Sequence, residues 1–444
     1  MNILPFNMKI FARKYLLPVI LSGLYISSAG QSFLSLDSAI AITLKKNYNI
    51  LIAKNNYQVA ENNHAPGMAG MLPNVSVLAG VALNDNNIDQ NYSSGTTISK
   101  DGVTSSTLTP GIGLTWTLFD GTRMFIAYNQ LGLLRDEGLA AEKMAMEDNV
   151  ASVIDAYYNI VQQKQLLAVI DSNLALYKEE MDLAEKQYQI GTGSKLNFLQ
   201  AKVGYNAELS AEMKQQVNVS TAIVALNQVL DEPIDKTYTV SDDITTGKEL
   251  IYDTLKRNMA TLNPNLIMAN TNISVAHNAL KEVDALRMPS VALNLNYGLS
   301  RSEYSAGFTL LNQSLGLTGG FTLSWTLFNG FITNINHKNA ELAELNAKFQ
   351  YDMLEEQTGG ALLEAYQQYL INVKILQLDE ENFKVAKENV EVAIEQFRIG
   401  TSNIVQLQQA QISFSQAGTQ VVSDRYTTKV SETQLLQLSG QLIK

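Results

Sequence analysis

The chain contains no cysteine. Disulfides, thiolate metal sites, a thiol nucleophile and a lipid-anchored cysteine are therefore excluded. Histidine is almost as scarce, with three in 444 residues: His64, His277 and His337. No Gly-rich phosphate loop, His-Glu-x-x-His helix or nucleophile elbow appears, so no catalytic residue, metal site or cofactor is expected. His64 and His277 fall near the ends of helical stretches and read as surface residues. Positive charge is in the minority: 32 Lys and Arg against 43 Asp and Glu, for a formal charge of −11. Such a chain is a poor partner for nucleic acid. Tryptophan occurs twice and proline eight times, with no proline between Pro110 and Pro233 or after Pro289. Beyond the N-terminus no continuous apolar run reaches the ~20 residues of a spanning helix.

What is there begins with an export signal over residues 1–30. Lys9, Arg13 and Lys14 precede the apolar run YLLPVILSGLYI, and SSAGQS supplies small residues for cleavage near Ala29 or Gly30. Removing three basic residues and no acidic one takes the charge from −11 to −14.

The dominant feature is an internal duplication. TWTLFDG (Thr115–Gly121) returns as SWTLFNG (Ser324–Gly330), 209 residues later, and the offset holds without a gap to about Leu230. Upstream, LPNVSV (Leu72–Val77) returns as MPSVAL (Met288–Leu293) at an offset of 216. The first half thus carries seven extra residues, within the polar run NDNNIDQNYSSGTTISKDG, which reads as a longer loop. This period is too long for a solenoid and describes two equivalent halves.

Each half holds two stretches of period-two alternation. Val75, Val77, Ala79, Val81 and Leu83 alternate with small or polar residues, as do Ile112, Leu114, Trp116 and Leu118. Val291, Leu293, Leu295, Tyr297 and Leu299, then Leu315, Leu317, Phe321, Leu323, Trp325 and Leu327, repeat the pattern. Runs of about 10 residues with an aliphatic face, a small uncharged face and a terminal Trp match strands that cross an outer membrane. Trp116 and Trp325 are the expected membrane-interface aromatics. Four strands cannot close a barrel around water and open edges are not tolerated in lipid, so the chain must oligomerise.

After each second strand an Asp-Gly or Asn-Gly turn leads into nearly 70 residues of helical pattern, ending at Ile190 and Ile399. Leu167, Ile170, Leu174, Tyr177, Met181, Ala184 and Tyr188 step by three and four, a coiled-coil seam. Leu376, Phe383, Ala386, Val390, Ala393 and Phe397 repeat it, with Asp379 as a polar intruder. Glycine then ends the helix, and a second helix returns to Leu230 or Leu438. Each half reads as a hairpin of long helices joined at its open end to a β-hairpin.

The ordered set of LP/MP, WTLF[DN]G and [YF]-x-I-G-T, present twice behind an export signal, resembles the TolC family of outer-membrane efflux and secretion channel proteins. The resemblance covers the mature chain. It implies a mixed α and β membrane protein: a periplasmic α-barrel of helical hairpins and a transmembrane β-barrel of four strands per chain, twelve in a homotrimer in outer-membrane lipid. The corresponding segments are 31–71 for the N-terminal helices, 72–119 for the first β-hairpin and 120–230 for the first helical hairpin. A connector spans 231–262, a helix 263–287, the second β-hairpin 288–328, the second helical hairpin 329–439 and a tail 440–444. The family's partners are a periplasmic adaptor and an inner-membrane transporter, and the duct itself is passive. The resemblance assigns Tyr188, Gly191, Thr192, Phe397, Gly400 and Thr401 to the periplasmic tips that meet the adaptor.

Asn197, Ser402, Gln406 and Gln409 fall at the pore entrance. There the family's best-known pattern has two acidic residues at the positions of Gln406 and Gln409, a basic residue at Ser402, a Tyr at Phe397 and an Asp at Asn197. The departure implies an entrance without an acidic ring or an ionic latch, held by neutral amides and apolar seams and only weakly blocked by divalent and trivalent cations. The alternative reading is an exported periplasmic coiled-coil scaffold without transport activity; it explains the helices but not the strands.

Overall fold

The structure, a computed structural model, describes residues 32–245 and 250–443. The expected export signal lies outside the described residues. A two-residue strand, β1 (Ser32–Phe33), precedes helices α1 (Leu36–Lys46) and α2 (Tyr48–Asn63). Strands β2 (Asn74–Asn91) and β3 (Thr97–Phe119) lead into α3 (Arg123–Gln189), and α4 (Lys195–Leu230) returns. A connector carries β4 (Tyr238–Thr239) and α5 (Tyr252–Leu262). The second half repeats the plan with α6 (Pro264–Ala285), β5 (Ser290–Tyr304), β6 (Leu311–Ser324), α7 (Ile332–Arg398) and α8 (Ile404–Leu438).

The four long strands form one antiparallel sheet in the order β2-β3-β5-β6. Its register places Val75, Val77 and Val81 opposite Leu114, Ile112 and Leu108. Leu114 and Ile112 in turn face Leu295 and Tyr297, and Leu293 and Tyr297 face Phe321 and Leu317. Directly paired residues share a face, so the aliphatic residues of all four strands line one side. Pro110 has no N–H to give, and the β3–β5 ladder skips from Leu108 to Gly111 at that point.

Two strand expectations are corrected. The polar run after Leu83 is strand rather than loop. β2 and β3 pair out to Asn91 and Thr97, closed by a tight turn in which Gly95 N–H donates to the Tyr92 carbonyl at 2.9 Å. Its Asn, Ser and Thr side chains have no apolar face to announce a strand; the ladder alone holds it. Conversely, β6 ends at Ser324, so Trp325–Phe328 lie beyond the strand, whereas Trp116 pairs with Leu293. The cause is position: β3 lies inside the sheet with a neighbour on each side, and β6 is an edge.

The arms of each helical hairpin are unequal. α3 and α7 have 67 residues each, but α4 has 36 and α8 has 35. At 1.5 Å per residue the long helices run about 100 Å and the return helices about half that. The remaining length is covered by α2 and α6, which pack along α3 and, for α6, α7. The helices form a row: α2 and α4 share one flank of α3, α6 and α8 the other, and α7 lies beyond them.

The joints in this row use one residue type. Asn47 Oδ1 accepts the Asn49 and Ile50 N–H groups at the start of α2, while its Nδ2 donates to the Val229 carbonyl at the end of α4. Asn263 does the same between Asn265 and Leu266 at the start of α6 and Leu438 at the end of α8. Both side chains are buried. One amide thus caps an N-terminus and satisfies a carbonyl at a C-terminus, the two sets of groups a helix end leaves unpaired.

Two apolar cores flank the middle of the row. One joins α1, β1 and β4 to Val153, Tyr157 and Ile160 of α3 and Leu226 of α4. The other joins Leu255 and Met259 of α5 to Leu362 and Tyr369 of α7 and Leu435 of α8. The strand foreseen near Thr237–Val240 is β4, which pairs in parallel with β1. Among the described residues, no helix is long and apolar enough to cross a membrane.

Candidate functional site

At the two helical breaks the sequence motif becomes one backbone device used twice. Thr192 N–H bonds the Gln187 carbonyl and Gly191 N–H the Tyr188 carbonyl; Thr401 to Gln396 and Gly400 to Phe397 repeat it. This is a Schellman cap. It needs a left-handed residue, and Gly191 and Gly400 sit at φ 80° and 78°. The Thr192 and Thr401 hydroxyls donate to the same Gln187 and Gln396 carbonyls at 3.3 and 3.2 Å. The threonines therefore help stop the helix. After the turn, Ser194 and Asn403 cap the returning helices.

A Cβ on Gly400 would meet no atom within 4 Å, so replacement tests conformation alone. Gly400→Ala is expected to loosen this tip by about 1–2 kcal/mol, the strain of a left-handed alanine. Hydrogen exchange of amides 396–406 should quicken while the middle of α7 is unchanged; equal exchange in both proteins would refute the cap's role.

The structure brings the two tips together. Ala184 and Ala201 of the first hairpin and Ile394, Phe397, Ile404 and Leu407 of the second form one buried cluster. The expectation that Phe397 touches an adaptor is corrected: it is 4 % exposed, with the tip core around it. Its repeat-mate Tyr188 is 42 % exposed and stacks in parallel on Phe198 at 6.4 Å. The same pattern position thus serves packing in one half and surface in the other.

After the second break, Gln406 Oε1 accepts from the Asn403 N–H at 3.3 Å and from the Ser402 hydroxyl at 3.0 Å, closing a capping box. Asn197 holds the matching position in α4, where its N–H is capped by Ser194. Gln409 is exposed. An ion pair does join the two tips, at a position outside the family's latch. Arg398 pairs with Glu179 across the two hairpins and with Glu395 on its own helix. This basic residue sits immediately ahead of the Ile-Gly-Thr turn, whereas the family's best-known pattern places one after it, at Ser402.

Sequence reasoning also missed Glu180. It is fully buried between α3 and α8, where Gln408 Nε2 donates to Oε1 at 3.0 Å. Burial raises its pKa, while the neighbouring Gln411 and Gln408 amides pull it down. A lone Glu in a heptad reads as a solvated residue, and only packing reveals otherwise. Asp379, the polar intruder, is matched by Asp424 of α8, whose pKa is raised by burial and by the Asp379 carboxyl.

At the other end of the long helices, the indole N–H groups of Trp116 and Trp325 donate to the Met71 and Arg287 carbonyls at 2.9 and 3.0 Å. Each Trp thereby ties the end of the second strand to the residue before the Leu-Pro or Met-Pro step. Asp120 then accepts from Met124 N–H at 3.0 Å, and Asn329 from Thr333 N–H at 3.5 Å, starting α3 and α7. The WTLF[DN]G motif is thus a latch followed by a helix start. His64 is corrected from surface to packing: its ring lies 4.4 Å from that of Tyr128, with Arg135 at 3.3 Å.

The profile of the outer membrane efflux protein family matches residues 39–232 and 255–441. The chain belongs to that family. Its relatives include the outer membrane protein TolC of Salmonella enteritidis, 19 % identical over 80 % of this chain and 73 % of that protein. The outer membrane efflux protein BepC of Brucella suis is 20 % identical over 96 % and 89 %. The solved outer-membrane channel CmeC of Campylobacter jejuni shares the fold, with a TM-score of 0.74 and 15 % identity over 99 % of this chain and 94 % of that one. The protein is an outer-membrane efflux channel of the TolC type, with its helices on the periplasmic side. Members of this family are channels, not enzymes.

Proposed function

We propose that three copies of this chain close into one duct, a twelve-stranded barrel in the outer membrane continued by a periplasmic helical barrel. The duct is the passive exit of a tripartite system, engaged at its tips by a periplasmic adaptor and supplied by an inner-membrane transporter. The observation that carries this reading is the pair of open edges. Among the described residues, β2 and β6 each have a free side, and a free edge in lipid leaves backbone groups unpaired at several kcal/mol apiece. The outer helices of the row agree: Leu342, Leu345 and Phe349 of α7 and Val203, Met213 and Val217 of α4 are exposed apolar residues. Tyr188, Gly191, Thr192, Gly400 and Thr401 are the proposed adaptor contacts. Asn197, Ser402, Gln406 and Gln409 line the entrance, and Trp116 and Trp325 stand at the membrane interface. A scaffold without transport has no use for a sheet with one continuous aliphatic face.

The duplication supplies the register of the missing contact. Gly111 of β3 pairs with Gly298 of β5. Transposed by the two repeat offsets, that pair becomes Gly320 of one copy opposite Ala82 of the next. The chain has no cysteine to interfere. A Gly320→Cys, Ala82→Cys protein treated in membranes with a short thiol-bridging reagent is expected to give covalent trimers on denaturing gels. Either single variant should give none. Uncross-linked double variant, with the thiols demonstrably reactive, would rule out this closure.

A further inference from the structure

A groove of about 490 Å3 lies between α3 and α8 at mid-length, within the size range of small-molecule sites. Ala151, Ile154, Tyr158 and Val430 give it an apolar floor, and Asp148 and Asp155 stand on its α3 wall. Lys429 is paired with Glu432 at 3.2 Å and lies over the Tyr158 ring at 5.4 Å. Among the described residues, Asp148 and Asp155 have only neutral donors: Gln437 Nε2 at 2.8 Å and the Tyr426 hydroxyl at 2.5 Å. With Lys429 and Glu432 cancelling, two carboxylates remain uncompensated beside an apolar surface.

The side on which the groove opens follows from helix geometry. Tyr157 of α3 is buried toward α1, and Leu435 of α8 toward α5. At 100° per residue, Asp155 lies roughly 160° from Tyr157, and Thr433 and Gln437 roughly 160° to either side of Leu435. The groove therefore faces away from the layer formed by α1, α5, β1 and β4. A conduit stays open only with that layer outside the ring, which puts the groove on the inner wall. α3 and α8 are neighbours within one chain, so adjoining copies leave the groove uncovered.

We propose that this groove binds amphipathic organic cations passing through the duct: a positively charged head at Asp148 and Asp155, and an apolar body along Ile154, Tyr158 and Val430. This rests on the duct reading above. Three such sites would line the wall at one level. Weak, repeated capture of cationic cargo there would favour its passage over that of anions of equal size.

The test is planar-bilayer recording of the full-length oligomer with tetrabutylammonium as probe. The parent channel is expected to show concentration-dependent block. In Asp148→Asn, Asp155→Asn, block should weaken by about tenfold or more, since a fixed field of two charges per site is removed. Asn keeps an acceptor oxygen for Tyr426 and Gln437, and Asp155→Asn alone serves if the double variant fails to assemble. Asp171, exposed on the far side of α3, controls for general charge: Asp171→Asn should block like the parent. Equal block in parent and groove variant, no block of the parent, or the same weakening in Asp171→Asn overturns the proposal. Absence of any conductance would instead refute the duct itself, and this site with it.

Discussion

Asn263→Ala is expected to unsplice the second half of the helical row. The substitution removes the acceptor for the Asn265 and Leu266 N–H groups and the donor to the Leu438 carbonyl. Loss of an N-cap costs about 1 kcal/mol, and a buried carbonyl deprived of a donor about 1–3 more. The sum is about 2–4 kcal/mol at one position. Asn47→Ala should do the same between α2 and α4, where the donor served the Val229 carbonyl at 3.1 Å. The two joints are far apart and share no partner, so the losses should add.

Asn263→Ser separates the roles: it keeps a capping oxygen and loses the reach to Leu438, and should recover only part of the stability. The measurement is denaturant unfolding of the helical domain in detergent, with hydrogen exchange at 263–267 and 436–440. An Asn263→Ala protein as stable as the parent, within about 0.5 kcal/mol, would show that the amide is incidental.

The second large effect is set by pH. Glu147 of α3 is 2 % exposed, and its Oε1 has no hydrogen-bond partner among the described residues. Burial pushes its pKa up to about 7, with Asp148 adding to the shift and Lys143 opposing it. The folded chain therefore holds this carboxyl protonated to near neutrality, while the unfolded chain ionises it from the ordinary value of 4.5 upward. The fold loses stability progressively between pH 4.5 and 7 and carries the full penalty above 7.

At about 1.4 kcal/mol per unit, that penalty is on the order of 3 kcal/mol. Glu147→Gln keeps the shape of the neutral acid and cannot ionise. It should match the parent at pH 4.5 and exceed it by about 3 kcal/mol at pH 8. Stability curves that run parallel across that range would contradict the assignment.

Much of this architecture is legible in the residues. The alternation of Val75, Val77 and Val81, and of Ile112 and Leu114, names the shared face that the register later shows. The return helices end at Leu230 and Leu438, where the pattern stops. The glycines at 191 and 400 mark the turns because few other residues adopt positive φ. These signals are local: a period, a cap and a turn depend on neighbours in the chain, and the duplication states each of them twice.

Other features depend on contacts that local pattern does not carry. KKNYN and TLNPN look like ordinary interruptions between helices; that Asn47 and Asn263 join helix ends 182 and 175 residues apart is a fact of packing. The burial of Glu147 and Glu180 has no local signal, because nothing within a few residues records which helices cover them. The polar end of the first β-hairpin lacked any periodicity, and its strands exist because the backbone ladder continues past the apolar face. Phe397 and Tyr188 share a motif position, yet one is core and the other surface, since Phe397 enters the cluster between the hairpins and Tyr188 stacks on Phe198 of its own hairpin.

By itself, then, the sequence determined the two-fold plan, the length of the helices and the need for a partner copy, because each follows from periodicity, duplication and hydrogen-bond satisfaction along the chain. The tertiary structure decided which charges are buried, how half-length helices are spliced into full-length ones, and that Arg398 reaches Glu179 between the hairpins. Those outcomes depend on which surfaces meet, and surfaces far apart in the chain meet only once the helices are laid side by side.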